Sequence, residues 1–253
     1  MINTVLQGDC LELMKNIPDK SIDMILCDLP YGTTACKWDV VIPFEPLWEQ
    51  YKRIIKDNGA IVLTASQPFT SALVMSNPKM FRYEWVWDKK LPSGFQIAKF
   101  RPMQRHENVL VFSKETPLYN PQKTEQKKRT GKVYSKSDSS PLKHDDGELK
   151  EYTTKNPQSI IEFYKRDKDH KHPTQKPVAL FEYLIKTYTN EGDLVLDNCA
   201  GSFTTAIAAE NTKRNWICIE QLEEYCEIGG KRINENRARL GILDNKENSP
   251  SLG

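Results

Sequence analysis

Short apolar runs alternate in this chain with stretches of helical spacing, and that alternation narrows the fold before any one residue is considered. Residues 21–27 are largely apolar and stop at Asp28, which reads as a buried strand. Phe44, Leu47, Trp48, Tyr51, Ile54 and Ile55 recur at helical spacing, and Asn58-Gly59 signals the end of that helix. Residues 59–64 read as a second strand, and Ser66 as the cap of a helix from Pro68 to Met75. Residues 83–87 and 108–112 are two further strands. Later in the chain Pro177 opens a helix to Thr189, residues 194–197 form a strand, and 205–210 a helix. Residues 215–219 form a strand ending at Glu220, and a last helix covers 222–239. Strands alternating with helices predict an α/β fold: a doubly wound, mostly parallel sheet of about seven strands, covered on both faces.

Composition shifts at Ser113. From there to residue 170 the chain is rich in Lys, Ser, Thr and Pro, and Lys123, Lys127, Lys128, Arg129 and Lys132 face only Glu125. This predicts a small, irregular and partly mobile insert. It separates a first half (1–112) from a second half (171–240), with a flexible tail at 241–253. Lys127, Lys128 and Arg129 are candidate phosphate contacts; a plain solvated loop is the alternative. The formal net charge of the 253-residue chain is only +2, so any nucleic-acid surface is a local patch. Six cysteines include no C-x-x-C pair, and no metal site is expected. Cys27 and Cys218 sit in apolar runs and read as core. With neither a leader nor an 18-residue apolar run, the expectation is a soluble, cytoplasmic protein with no membrane partner.

Two segments carry chemistry. Residues 194–220 run strand, loop, helix, strand, acid. In doubly wound sheets such a loop admits a ligand at the strand's carboxyl end, and an acid about 20 residues on binds ribose hydroxyls. Glu220 follows Asp197 by 23 residues. The loop, Asn198 to Ser202, holds Gly201 but is not G-x-G-x-x-G, so a pyrophosphate is not indicated. A ligand with a ribose and no phosphate fits better, and S-adenosylmethionine is such a ligand. An ordinary turn with solvated acids is the competing reading.

The second segment is Asp28-Leu29-Pro30-Tyr31, also at a strand's carboxyl end. An aromatic ring beside an acid suits a base extracted from a duplex, stacked on the ring and read at its edge. Asp28 and the Pro30 carbonyl can accept from an exocyclic amine, and proline offers no competing N–H. Such acceptors make the amine nitrogen more electron-rich, and positioning does most of the remaining work. A strand-to-turn junction punctuated by Pro30 and Gly32 is the bland alternative.

Together these segments resemble the beta-class amino-methyltransferases of DNA, in which the catalytic motif precedes the cofactor motif. Asp28-Leu29-Pro30-Tyr31 is similar to that family's [DNS]-P-P-[YFW], and residues 194–205 to its V-L-D-P-F-x-G-S-G-T-T. His172-Pro173-Thr174-Gln175-Lys176-Pro177 resembles the segment opening the cofactor half, Gly8-Asp9-Cys10-Leu11 an adenine-contacting segment, and residues 100–107 a stretch lining the target-base pocket. The resemblance covers residues 7–112 and 172–233, and the insert falls where the family keeps its target-recognition region.

The resemblance implies a Rossmann-like methyltransferase fold and S-adenosylmethionine as cofactor. Asp9 and Cys10 would meet its adenine, Glu220 its ribose and Lys176 its carboxylate. Asp28, Asp197, Asn198, Ala200, Gly201 and Ser202 would line its site. Asp28, Pro30 and Tyr31 would be catalytic, and Lys89, Arg101 and His106 would join the insert cations on DNA, chiefly at phosphates. Adenine N6 in double-stranded DNA is the expected target. The alternatives are cytosine N4, an RNA or protein amino-methyltransferase, and an inactive DNA-binding homologue. A homodimer and a cognate restriction endonuclease are the expected partners besides DNA. Trp85, Trp87 and Trp216 read as core, and Trp38 as a loop residue after Gly32 that could line the DNA cleft. Two residues depart from the family pattern. Leu29 replaces a proline, and Phe203 replaces a loop glycine, placing a ring where positive φ would be strained.

Overall fold

The computed structural model describes residues 2–34, 36, 39–137, 140–164 and 175–242, with side chains described outside 132–148. Trp38, His172, Pro173, Thr174 and all but two residues of the expected tail lie outside the described residues. In chain order the elements are β1 (Thr4–Gln7), α1 (Cys10–Met14), β2 (Ile22–Cys27), α2 (Phe44–Ile54), β3 (Ile55–Ala65), α3 (Phe69–Ser76), β4 (Phe81–Ser93) and β5 (Gln104–Phe112). They continue with β6 (Thr124–Ser137), β7 (Ser140–Lys155), β8 (Ile160–Glu162), α4 (Val178–Tyr188), β9 (Leu194–Asp197), α5 (Thr204–Asn211), β10 (Asn215–Glu220) and α6 (Glu223–Leu240). Residues 1–120 and 159–253 form one compact unit, and 121–158 a second.

In the first unit eight strands make one sheet in the order β1-β10-β9-β2-β3-β5-β4-β8. All pairings are parallel except those of β5 with β3 and β4. Strand side chains alternate between two cores. Met24 and Leu26 of β2 pack with Leu180, Ala206 and Ile233 of α4, α5 and α6 on one face. Ile25 and Cys27 pack with Met14, Leu47 and Leu73 of α1, α2 and α3 on the other. Each such burial stabilises by roughly 1.5–3 kcal/mol, so a one-residue slip of β2, which would exchange the two sets, is strongly disfavoured. Trp85, Trp87 and Trp216 are buried in the first core, as their strand positions predict. Among the described residues no helix is long and apolar enough to cross a membrane.

The chain leaves β2 through α2 to β3 on one side, and β9 through α5 to β10 on the other. The strand order therefore reverses between β2 and β9, which pair directly through Met24–Val195 and Ile25–Leu196. Open α/β sheets bind ligands in the crevice at that reversal, outside the carboxyl ends of the strands. Asp28 and Asp197 stand at those two ends.

Several expectations need correction. The mostly parallel sheet is present as expected, with eight strands where the sequence predicts about seven. β1 and β8 are short edge strands of four and three residues, which leave little periodicity to read. The insert is not irregular: β6 and β7 pair as an antiparallel ribbon in the second unit. Its polar sequence hides this, because exposed residues such as Lys127, Lys128 and Arg129 show no apolar alternation. The compact second unit is also narrower than 113–170; Ser113 is buried and donates to the Gly59 carbonyl at 2.9 Å. α2 stops at Ile54, because Ile55 already pairs with Ile22. Ser66 does not cap α3 with its hydroxyl; that oxygen accepts from Gln104 Nε2 at 2.7 Å.

Candidate active site

A cleft of about 660 Å³ opens at the reversal point, within the roughly 300–1,000 Å³ range of small-molecule sites. It is lined by Asp9, Cys10, Asp28, Pro30, Tyr31, Lys176, Asp197, Asn198, Ala200, Gly201, Ser202 and Glu220. Every residue expected from sequence to be catalytic or to hold the cofactor is thus in one cavity, although 211 positions separate Asp9 from Glu220.

One end is built by β1, β10 and the loop after β9. Asp9 caps α1, its carboxylate accepting from the Leu11 and Glu12 amides at 2.8 and 3.1 Å. The Gly8 amide bonds the Glu220 carbonyl at 2.9 Å, which holds Asp9 beside the end of β10. Glu220 receives the Gly201 amide on Oε2 and the Leu222 amide on Oε1, both at 2.8 Å. Gly201 sits at φ 50°, and a Cβ there would meet no atom within 4 Å, so its backbone faces open space. The chemistry fits a nucleoside: the carboxylates of Asp9 and Glu220 as acceptors, open space at Gly201, and no glycine-rich cradle for phosphate.

Asp197 lines the cleft as expected, but its carboxylate is turned to the protein's own groups. It is 3% exposed. Its carboxylate accepts the Cys199 amide at 3.1 Å and the Thr205 hydroxyl. Burial pushes its pKa up to about 6, against those bonds. Asn198 is fixed from below by Tyr51, whose hydroxyl donates at 2.5 Å. Phe203 does adopt the left-handed region, at φ 60°. That costs roughly 1–2 kcal/mol, yet the ring leaves the cleft clear. It is buried against α6, where a Cβ on Gly229 would lie 1.9 Å from it. The bulky loop residue and the mid-helix glycine therefore explain each other.

The other end gathers around Asp28. Oδ1 accepts from Tyr31 at 2.7 Å and from the Thr64 hydroxyl, and Oδ2 from Lys176 Nζ at 2.6 Å. Lys176 also approaches Glu107 at 3.6 Å, and Glu107 pairs with Lys89 at 3.2 Å. Burial works against the Lys176 ammonium, but Asp28 and Glu107 outweigh it and hold its pKa above the usual lysine range. Burial, and then the charge of Asp28, push the Tyr31 phenol well up, so it stays a donor. The Tyr31 ring stacks on Phe69 at 5.1 Å. Leu29 is 3% exposed and belongs to the second core, which accounts for an aliphatic residue in the tetrapeptide. Asp39 clamps the following turn, accepting the Gly32, Thr33 and Thr34 amides at 2.8, 2.9 and 2.6 Å.

Lys89 is corrected: it is 3% exposed and paired with Glu107, so its ammonium serves the wall of the cleft and not a phosphate. Arg101 and His106 are exposed, as expected of surface contacts. Lys128 pairs across the ribbon with Glu151 at 2.6 Å. Sequence reasoning missed Thr64, Asp39 and the wall formed by Glu107 and Trp87. Glu107 alone carried a signal, from its place in the pocket-like stretch.

A nucleoside end without a phosphate cradle, joined to an acid–proline–aromatic end, defines the class: a methyltransferase of exocyclic amines that draws on S-adenosylmethionine. The chain belongs to the DNA methylase family of N6 and N4 amino-methyltransferases, whose profile matches residues 22–231. It is 31% identical over 255 residues to the DNA adenine methyltransferase YhdJ of Escherichia coli K12, covering 91% of this chain and 82% of that protein. The structure of the M1.HpyAVI–SAM complex is similar at 26% identity with a TM-score of 0.62, over 91% of this chain and 98% of the other. The cytosine-N4-specific PvuII DNA methyltransferase shares the fold, with a TM-score of 0.65 at 18% identity over 94% and 92% of the two chains.

Proposed function

We propose that this chain methylates N6 of an adenine flipped out of double-stranded DNA. The observation that carries the reading is the carboxylate of Asp28, set between the nucleoside end of the cleft and the ring of Tyr31. Bound S-adenosylmethionine supplies an electrophilic methyl on a sulfonium. Asp9, Cys10, Gly201 and Glu220 would hold its adenosine part, and Lys176 its carboxylate. Asp28 and the Pro30 carbonyl accept from the two N–H bonds of the target amine. This raises electron density on nitrogen and stabilises the positive charge that follows methylation. Tyr31, backed by Phe69, offers a face for the base, and the Asp39 clamp fixes the turn above it.

Adenine is favoured over cytosine by Asp28 at the first motif position, where serine is commoner for cytosine N4, and by the similarity to a DNA adenine methyltransferase. The ribbon of residues 121–158, with Lys127, Lys128 and Arg129 exposed, is our candidate target-recognition region. Methylation-aware sequencing of DNA from cells expressing the chain tests the reading. It should reveal N6-methyladenine at one short motif, absent with Asp28→Ala. N4-methylcytosine alone would overturn the adenine assignment, and labelled methyl appearing only in RNA would overturn the choice of DNA.

A further inference from the structure

We propose that the tip joining β4 to β5 is a wedge that enters the duplex beside the target base, with Phe95 and Phe100 stacking where that base leaves. The inference rests on the DNA reading of the cleft. Phe95 is 79% exposed and Phe100 87%, and Leu91, near the end of β4, is 53% exposed. Rings this bare contribute nothing to either core, and a cluster of them on a protein surface marks an interaction site.

The tip is built rather than slack. Gly94, at φ 90°, turns the chain into a short 3-10 turn, Phe95–Ile97. The Ile97, Ala98 and Phe100 amides bond the Gly94, Phe95 and Ile97 carbonyls at 3.1, 3.1 and 2.9 Å. The two rings are thus presented on a preformed scaffold, which lowers the ordering cost of binding.

Its position follows from the sheet. β5 runs antiparallel to β3, with Asn108 opposite Ala65, so the tip rises at the same carboxyl edge as Asp28. The strands descending from it carry Trp87 and Glu107 into the wall of the cleft. Gln104 anchors its base through the Ser66 hydroxyl at 2.7 Å. The wedge is therefore an extension of one wall of the site.

Charge selects the occupant. Lys99 and Arg101 are exposed on the same turn, and neither has an ion pair among the described residues. Cations interleaved with aromatic rings suit a polyanion whose bases have π-faces. Apolar side chains inserted between base steps are an established way to open a duplex. A second copy docked symmetrically through this tip would instead set its own cations against each other.

The test uses the full chain and a synthetic duplex bearing the motif found by the sequencing above. The double variant Phe95→Ala/Phe100→Ala should melt and bind S-adenosylmethionine like wild type. Methylation of the matched duplex should fall roughly tenfold to a hundredfold, the range for losing base–aromatic stacking. The deficit should shrink when the target base is mispaired, because extrusion then costs less. Phe100→Trp, which keeps a stacking ring, should retain the rate, and Phe100→Gln should not. These single changes at an exposed position keep the test open if the double variant is unstable. An unchanged rate, an equal loss on matched and mispaired duplexes, or a dimer dissolved by the double variant would overturn the wedge. A wild type that methylates no DNA would overturn the underlying reading and this inference together.

Discussion

Asp28 and Asp197 occupy equivalent places, one at the carboxyl end of each of two adjacent parallel strands, yet their surroundings are opposite. Among the described residues Asp28 is held by side chains, those of Tyr31, Thr64 and Lys176, and its own side chain keeps 24% exposure. Asp197 is buried, bonded to the Cys199 amide and to a buried hydroxyl at the start of α5, and its pKa is raised to about 6. The fold nominates both positions; hydrogen bonding separates the acid that the proposed reaction uses from the one that holds the loop. Side-chain donors can give way to an incoming amine, whereas a carboxylate that ties a loop together cannot be released without undoing the loop.

The sharpest break between the two is at Asp28. Asp28→Ala should lower methyl transfer by roughly 10²–10³-fold, the scale of losing one preorganised electrostatic group. Cofactor affinity should change far less than the rate, and the melting temperature should fall, because the largely buried Lys176 loses its 2.6 Å partner. Single-turnover methylation and calorimetry measure the two halves of that statement. A variant that loses cofactor binding in parallel would place Asp28 with the scaffold, and the contrast would fail.

Asp197→Ala should show the converse. The Cys199 amide and Thr205 hydroxyl lose their acceptor, at about 1–3 kcal/mol of stability, and cofactor binding weakens as the loop relaxes. Its pH signature is distinctive. The folded-state pKa is raised, so between about pH 4 and 6 the folded chain holds a proton that the unfolded chain has released. Stability from this group therefore falls as pH rises through that window, by about 3 kcal/mol in all. Denaturant titrations at pH 4.5 and 7 should show that slope in wild type and a flatter one in the variant.

How much of this was legible in the sequence follows the same division. Asp28, Asp197 and Glu220 could be read because each ends an apolar run, and strand ends are where such sheets bind. The cofactor end was legible almost in full, since its residues lie in contiguous segments. Thr64 was not, nor was the pairing of Lys89 with Glu107: both depend on strand order, which no local pattern encodes. Lys89 misled because a lysine beside an apolar strand looks like a surface cation until its partner is known. The ribbon of β6 and β7 escaped because polar strands carry no burial period.

Phe203 and Gly229 offer the finest probe of the loop behind Asp197. Read locally, Phe203 looks like damage to a glycine loop; in the fold, its ring fills the space left by a glycine of α6. Gly229→Ala would gain helix propensity of about 1 kcal/mol. It also drives a methyl into the ring, and overpacking of that kind costs roughly 1–3 kcal/mol. The single variant should therefore be destabilised overall, because the buried ring must shift to admit the methyl. Phe203→Gly relieves the left-handed strain but empties a core position, so it too should lose stability. Combined, the two changes should lose less than the sum, because the added methyl enters the space vacated by the ring. A double-mutant cycle measured by denaturant unfolding reads that coupling directly. Strict additivity would mean that the ring and the glycine are independent, and that the loop tolerates Phe203 for some other reason.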